Sequence, residues 1–276
     1  MEQIIAFIMA AVSFLSSLFG VYPSGLADGV NADTRFFLRF KEYKAYIYKD
    51  GDVELPFRLL EPTSSQDGAL YPLIVYLHGA GETGKNNKDQ LQRFFAKGLE
   101  NSGEACYAFL PQIEDDWFWG DAHVDAVLNK CIDDYLLAAY PIDTDRIYVT
   151  GLSRGGNGVY EQVYLHQGKY AAALPVCGYL YRFDETVLSN FQPFADIPMW
   201  IAHNAGDPTV SVEHSRLMYS SVLALGGTQI IYTEYAKNKH DAWTAFYSDR
   251  DIWTWMFAQR LRGGEAPPSS FARHLS

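Results

Sequence analysis

Asp145-Arg146-Ile147-Tyr148-Val149-Thr150-Gly151-Leu152-Ser153-Arg154-Gly155-Gly156 decides how the chain is read. Arg146 to Thr150 reads as a strand, and Gly155 to His166 as a helix. Between them, Gly151-Leu152-Ser153-Arg154-Gly155 matches the pattern G-x-S-x-G in the strand–turn–helix context that gives the pattern meaning. A serine on so sharp a turn needs neighbours without Cβ atoms, because side chains there would collide. A helix that starts just after the serine turns its first amides toward any charge developing beside it. Ser153 is therefore the candidate nucleophile, and the amide of Arg154 a candidate oxyanion donor.

The surrounding chain supplies the rest of such a sheet. Leu73-Ile74-Val75-Tyr76-Leu77 and Tyr107-Ala108-Phe109-Leu110 are short apolar runs, the second stopped by Pro111. Ala171 to Val176, Met199 to His203 and Gln229 to Tyr235 read as further strands. Helical spacing runs from Val124 to Ala138, from Val212 to Leu225 and from Ala242 to Arg260. Before them, Arg35 to Leu60 reads as antiparallel strands turning at Lys49-Asp50-Gly51-Asp52. Strands alternating with helices predict an α/β fold, a mostly parallel central sheet covered on both faces. There is no internal repeat, and one domain over residues 28–262 is the economical reading of the body.

A nucleophilic serine needs a base, and the base an orienting acid. In this architecture they follow the serine in the order acid, then histidine. His166 and His214 fall in helical patterns, His203 ends a strand upstream of the best acid, and His274 lies in the tail. His240 sits in a polar loop just past the strand ending at Tyr235. Asp207 holds the equivalent place after the strand ending at His203, with Pro208 fixing its turn. All three candidates then stand beyond the carboxyl ends of parallel strands, where such sheets carry their sites.

The loop Gly79-Ala80-Gly81-Glu82-Thr83-Gly84-Lys85-Asn86 has two readings. It resembles a Walker A loop, but Asn86 stands where a Mg²⁺-binding hydroxyl belongs, and no strand ends in a clear Walker B aspartate. The better reading is a glycine-rich oxyanion loop, His78-Gly79-Ala80-Gly81, which supplies a second backbone amide.

At this point the chain, over roughly Tyr71 to Leu261, resembles the secreted α/β-hydrolase esterases of the polyhydroxybutyrate-depolymerase and feruloyl/acetylxylan-esterase type, including the branch labelled "predicted peptidase". The likeness rests on Leu77 to Gly84, Asp145 to Gly156, Asp207-Pro208-Thr209-Val210, and Thr233-Glu234-Tyr235 leading to His240-Asp241-Ala242-Trp243. It implies Ser153 as nucleophile, Asp207 as acid and His240 as base. It also implies oxyanion amides at Ala80 and Arg154, with Gly81 a substitute for Ala80. Arg154 stands where the family usually has an apolar residue or Gln, and Asn204 where it usually has Gly. The implied reaction is hydrolysis of carbohydrate-linked or short-chain esters. A serine peptidase or a polyester depolymerase on the same fold is the alternative.

Composition narrows the partners. Thirty-three acidic against 22 basic residues give a formal charge of −11, which disfavours nucleic acid. Three cysteines show no CxxC spacing, and there is no H-E-x-x-H, so neither a metal nor another cofactor is expected. Aromatic residues reach 15%. Trp117 and Trp119 follow the Pro111 strand end, Trp243 follows His240, and Tyr179 and Tyr181 follow Val176, all placed to meet sugar rings or aromatic acyl groups. Residues Gln3 to Ala27 carry no charge and end in the small-x-small triplet Gly25-Leu26-Ala27. Residues 1–27 read as an export signal despite Glu2 and the missing basic residues, with a membrane anchor or a buried helix as alternatives. Export makes the protein secreted or periplasmic. Gly263 to Ser270 reads as a flexible tail.

Overall fold

The computed structural model describes residues 42–63, 66–181 and 186–262. The export segment at 1–27, the beginning of the N-terminal strand region at 35–41 and the tail from 263 lie outside these residues.

The described chain forms an eight-stranded sheet in the order β1-β2-β4-β3-β5-β6-β7-β8. β1 (Lys44–Asp50) and β2 (Val53–Leu60) make a hairpin, with Gly51 at φ 60° in its turn. β2 pairs antiparallel with β4 (Tyr107–Pro111). From β4 through β3 (Tyr71–Leu77), β5 (Ile142–Leu152), β6 (Ala172–Val176), β7 (Met199–Asn204) and β8 (Ile230–Tyr235) all pairs are parallel. Every residue of β3, β4, β6 and β7 is buried, which is why these runs are largely apolar rather than alternating, with His203 and Asn204 at the end of β7 the polar exceptions.

Alternation survives in where the side chains go. Leu73, Val75 and Leu77 of β3 join the core that includes Leu128, Val159 and Val163. Tyr76 points the other way, 4.2 Å from the ring of Phe95 and 6.2 Å from Tyr247. Helix α1 (Arg93–Ser102) covers that second face together with α5 (Trp243–Ser248) and α6 (Arg250–Ala258). Helix α2 (Ala122–Lys130), which continues through a π turn at Cys131–Leu136, packs on β2, and α3 (Arg154–Leu165) on β5 and β6. α4 (Glu213–Ala224) packs on β7 and β8.

Two expectations shift. β4 includes Pro111 instead of stopping before it. The run expected as one helix from Ala242 to Arg260 is two, because the Asp249 side chain accepts from the amide of Asp251 and starts a new helix there.

Register places the site. Leu77 pairs with Gly151, Leu152 with Val176, Val176 with Ala202, and Asn204 with Tyr235. The strands end nearly level, so the loops after β3, β5, β6, β7 and β8 open along one edge.

Candidate active site

Ser153 follows β5 with φ 54° and ψ −116°, a conformation that costs a side-chain-bearing residue roughly 1–3 kcal/mol. The surroundings enforce it. A Cβ on Gly155 would lie 1.9 Å from the Leu77 carbonyl oxygen, and one on Gly151 2.6 Å from the same atom. Gly156 passes as close to β6, where a Cβ would stand 2.7 Å from the Val176 oxygen. The Ser153 amide donates to Val176 O (2.9 Å), and the Cys177 amide donates to Ala202 O (2.8 Å). Backbone bonds thus link the end of β5 to β6 and of β6 to β7. Arg154 opens α3, where the first amides have no acceptor within the helix.

The glycine-rich loop after β3 is held by a buried histidine. His78 Nε2 accepts from the Ile113 amide (3.1 Å), so its Nδ1–H donates to Gly79 O (2.7 Å). Burial pushes the His78 imidazole down to about 4, so it is neutral at pH 7. The Gly79 amide donates to the Glu82 carboxylate (2.9 Å), and Gln112 donates to Glu82 O (3.0 Å). Ala80 stands exposed at the crest. The Walker A reading finds no support in this shape. The loop makes only a 3₁₀ turn at Ala80–Glu82, no α-helix begins between Gly79 and Arg93, and Lys85 pairs with Glu114 at the surface (2.8 Å).

Asp207 and His240 meet. Asp207 Oδ2 accepts from His240 Nδ1 at 2.6 Å, while Oδ1 accepts from the amides of Thr209 (2.8 Å) and Val210 (3.0 Å). The Asp207 side chain is fully buried and that of His240 is 17% exposed. Burial pushes the Asp207 carboxyl up, but the His240 bond and the two amides outweigh it and hold the carboxyl below its ordinary range. With Nδ1 committed, His240 Nε2 is a buried atom with no hydrogen-bond partner. An imidazole so held has one free nitrogen and a fixed tautomer.

Three residues that the sequence did not single out for the site surround the Asp207–His240 pair. His203, fully buried, places Nε2 3.1 Å from Val210 O and 3.4 Å from Asp207 Oδ2, while Nδ1 accepts from the Ser215 hydroxyl (2.7 Å). Asn204 donates to Lys239 O (2.6 Å) and so ties down the loop one residue before His240. Cys177 lies at φ 48°, and burial pushes its thiol up to about 12. Its sulfur, a His203 nitrogen and an Asp207 oxygen lie within 4.8 Å of one another. Both His203 nitrogens are already engaged, so this trio is a hydrogen-bonded cage around the acid and a poor fit to a resident metal. The strand-end position of His203 was the available signal; the positive φ of Cys177 leaves none in the sequence.

The tryptophans divide. Trp119, expected to line the mouth, is fully buried and instead supports the glycine-rich loop. Its Nε1–H donates to His78 O (3.1 Å), and its ring lies edge-on to the His78 ring. Trp117 is half-buried against His123. Trp243 packs edge-on against His240, with centroids 5.0 Å apart. The Arg154 side chain crosses to the loop after β4, donating to Asp115 O (2.8 Å) and Trp117 O (3.2 Å). Among the described residues no helix is long and apolar enough to cross a membrane.

No family model matches the chain, and no curated protein matches it. Solved structures do. A thermostable esterase is 31% identical with a TM-score of 0.72, over 81% of this chain and 64% of that one. An acylaminoacyl peptidase, solved with Z-Gly-Gly-Phe-chloromethyl ketone, is 18% identical with a TM-score of 0.60, over 83% and 44%. A ferulic acid esterase is 12% identical with a TM-score of 0.61, over 78% and 97%. The chain spans less than two thirds of the first two. Sheet order, parallel register and these likenesses together give the chain the α/β-hydrolase fold, and the structures that share it here are esterases and peptidases.

Proposed function

We propose that the protein is a serine hydrolase of carboxylic esters, acting on carbohydrate-linked feruloyl or acetyl esters or on short-chain esters. Ser153 Oγ attacks the ester carbonyl while His240 Nε2 takes its proton. Asp207 keeps the imidazole in the tautomer that leaves Nε2 free and stabilises the cation that forms. The amides of Ala80 and Arg154 receive the tetrahedral oxyanion; the Gly79 amide is already committed to Glu82. Collapse passes the proton from His240 to the leaving alcohol and leaves an acyl-Ser153. Water, deprotonated by His240, then releases the acid and restores the serine. No step calls for a metal or other cofactor.

One observation carries this reading: the 2.6 Å bond from His240 to a fully buried Asp207 leaves Nε2 unpartnered, in a sheet whose G-x-S-x-G serine sits on the left-handed elbow. The test is a panel of p-nitrophenyl esters, feruloyl and acetylated xylan oligosaccharides, and chromogenic peptides, assayed with wild type and Ser153→Ala. Ester turnover that falls by several orders of magnitude in Ser153→Ala supports the reading. Turnover surviving that substitution ends it. Preferential cleavage of the peptides replaces it with the peptidase reading; polyhydroxybutyrate, assayed beside the panel and cleaved in preference to it, replaces it with the depolymerase reading.

Gln3 to Ala27 underlies a second proposal, that the working protein is exported and its mature N-terminus lies near Asp28. Intact mass of the native protein tests it. Met1 retained in a soluble cytoplasmic fraction refutes it.

A further inference from the structure

The loop that leaves β3 has little internal support. It makes one 3₁₀ turn at Ala80–Glu82, and Ala80 stands exposed on it. A backbone amide stabilises a developing oxyanion only if it is already aimed when the charge forms. The aim here comes from outside the loop. Gln112, one residue past β4 and only 1% exposed, commits its whole side chain to the stretch that follows Ala80. Its Nε2 donates to Glu82 O (3.0 Å) and to Asn86 Oδ1 (3.1 Å), and its Oε1 accepts from the Asn87 amide (2.6 Å). The backbone of Gln112 is fixed in turn, with its amide donating to Pro56 O of β2 (2.8 Å), and the neighbouring Ile113 O accepts from the Gly84 amide (2.8 Å).

Asn87 carries the connection outward. It lies at φ 53°, and the other described non-glycine residues with positive φ are Ser153 and Cys177 of the candidate site. Asparagine tolerates this backbone better than most residues, and it persists where the surroundings fix it. Every polar atom of Asn87 is engaged. Nδ2 donates to Tyr46 O of β1 (3.0 Å) and to Phe57 O of β2 (3.1 Å), and Oδ1 accepts from Gln90 Nε2 (2.6 Å). Its carbonyl accepts from Arg58 Nε (2.6 Å), and Arg58 also donates to Tyr43 O (3.1 Å). Hydrogen bonds therefore run from the β1–β2 hairpin through Asn87 and Gln112 to Glu82, two residues past Ala80. The Glu82 carboxylate then holds the Gly79 amide on the other side of Ala80 (2.9 Å).

We infer that Gln112, clasped by Asn87 against the β1–β2 hairpin, is a positioning residue that holds the Ala80 amide where the tetrahedral oxyanion forms. The inference rests on the ester-hydrolase reading and gives the antiparallel hairpin, which carries none of the reacting groups, a part in that reaction. Gln112 touches no reacting atom. It acts as the support that keeps a working group in its productive geometry.

The experiment compares wild type with Gln112→Met, which keeps the side chain's length and removes its amide hydrogen bonds. A second variant, Asn87→Gly, keeps the left-handed backbone and removes the side chain. Active sites are titrated to completion with a fluorophosphonate, and kcat and KM are measured with a p-nitrophenyl ester. Inhibition by an aryl trifluoromethyl ketone, whose adduct on the serine carries the oxyanion, is measured beside them. Per active site, Gln112→Met should lower kcat about 10- to 100-fold with KM within about twofold, less than outright loss of an oxyanion donor. The inhibition constant of the ketone should rise with it. Asn87→Gly should lower kcat about 3- to 10-fold in the same way. The double variant should be no worse than Gln112→Met alone, because Asn87 acts through Gln112. Unchanged kcat and ketone affinity per active site overturn the positioning role even where the melting temperature drops, since a merely structural glutamine alters how many sites are active and not how each performs. Should Gln112→Met fail to fold, Asn87→Gly decides by the same two constants. A wild type that neither hydrolyses the ester nor binds the ketone overturns the ester-hydrolase reading itself, so the two failures are told apart.

Discussion

The serine side and the acid–base side of the site are built by different means. Around Ser153 the restraint is backbone on backbone. Gly151, Gly155 and Gly156 let β3, β5 and β6 approach so closely that no side chain fits, and the elbow cannot relax. Around Asp207 and His240 the restraint is side chain on backbone or on side chain. His203, Asn204 and the paired amides of Thr209 and Val210 place a carboxylate and a loop that the strands alone would leave free. In the proposed reaction, strained backbone suits a nucleophile that must stay still, and a hydrogen-bonded loop suits an imidazole that exchanges protons with two partners in turn.

The contrast can be broken by substitution, and the largest effect should fall on the acid. Asp207→Asn keeps the shape but reverses the hydrogen bond that sets the His240 tautomer, and kcat should fall about 10⁴-fold with the melting temperature nearly unchanged. Steady-state kinetics with a p-nitrophenyl ester measures it, and a loss below tenfold removes Asp207 from the acid's role. Gly155→Ala should do the reverse. Its Cβ meets a strand carbonyl at 1.9 Å, so the cost should be about 3 kcal/mol or more of stability, or failure to fold. Urea unfolding reads it out, and a stable, active Gly155→Ala protein would show the elbow to be softer than described.

Acid sharpens the comparison next, because each side hides a neutral histidine. The folded pKa of His78 lies below its ordinary 6.5, at about 4, so between those values the unfolded chain binds more protons than the folded one. Stability should therefore be constant above pH 6.5 and fall as pH drops toward 4, by roughly 3 kcal/mol for this residue at about 1.4 kcal/mol per pH unit. His203, lowered by burial too, acts in the same direction. Chemical denaturation at pH 7, 6 and 5 tests the sign; stability rising toward pH 5 would contradict it. The smallest effects are at single anchors. Asn204→Ala removes the bond to Lys239 and should cost about 1 kcal/mol with a 3- to 10-fold lower kcat. Lys85→Ala, which loses only an exposed ion pair, should leave both within a factor of two.

The same contrast explains what could be read in advance. Backbone constraint leaves glycines at fixed spacing, so Gly151 to Gly155 announced the elbow before any coordinates. Chain order and place just past a strand end then singled out Asp207 and His240 as the candidate acid and base. Side-chain constraint leaves no such trace. His203 read as a strand end, Asn204 as a departure from a glycine, and His78 as the opening of a loop. Each acts through a partner 7 to 35 residues away. Trp119 failed for a related reason. Aromatics after a strand end can turn to solvent or into the core, and only its bond to His78 O decides. The break at Asp249 was missed because helical periodicity carries on across it.

One last consequence concerns the thiols. All three cysteines of the chain are free and buried, and burial raises the pKa of each, Cys106 and Cys177 to about 12. Alkylating reagents attack the thiolate, so the native protein should give almost no background with maleimide at pH 7. A single Thr244→Cys, on the exposed side of α5 one residue past Trp243, would then carry a fluorophore alone. The wild-type chain thus comes prepared as a silent background for a fluorophore beside the His240 loop.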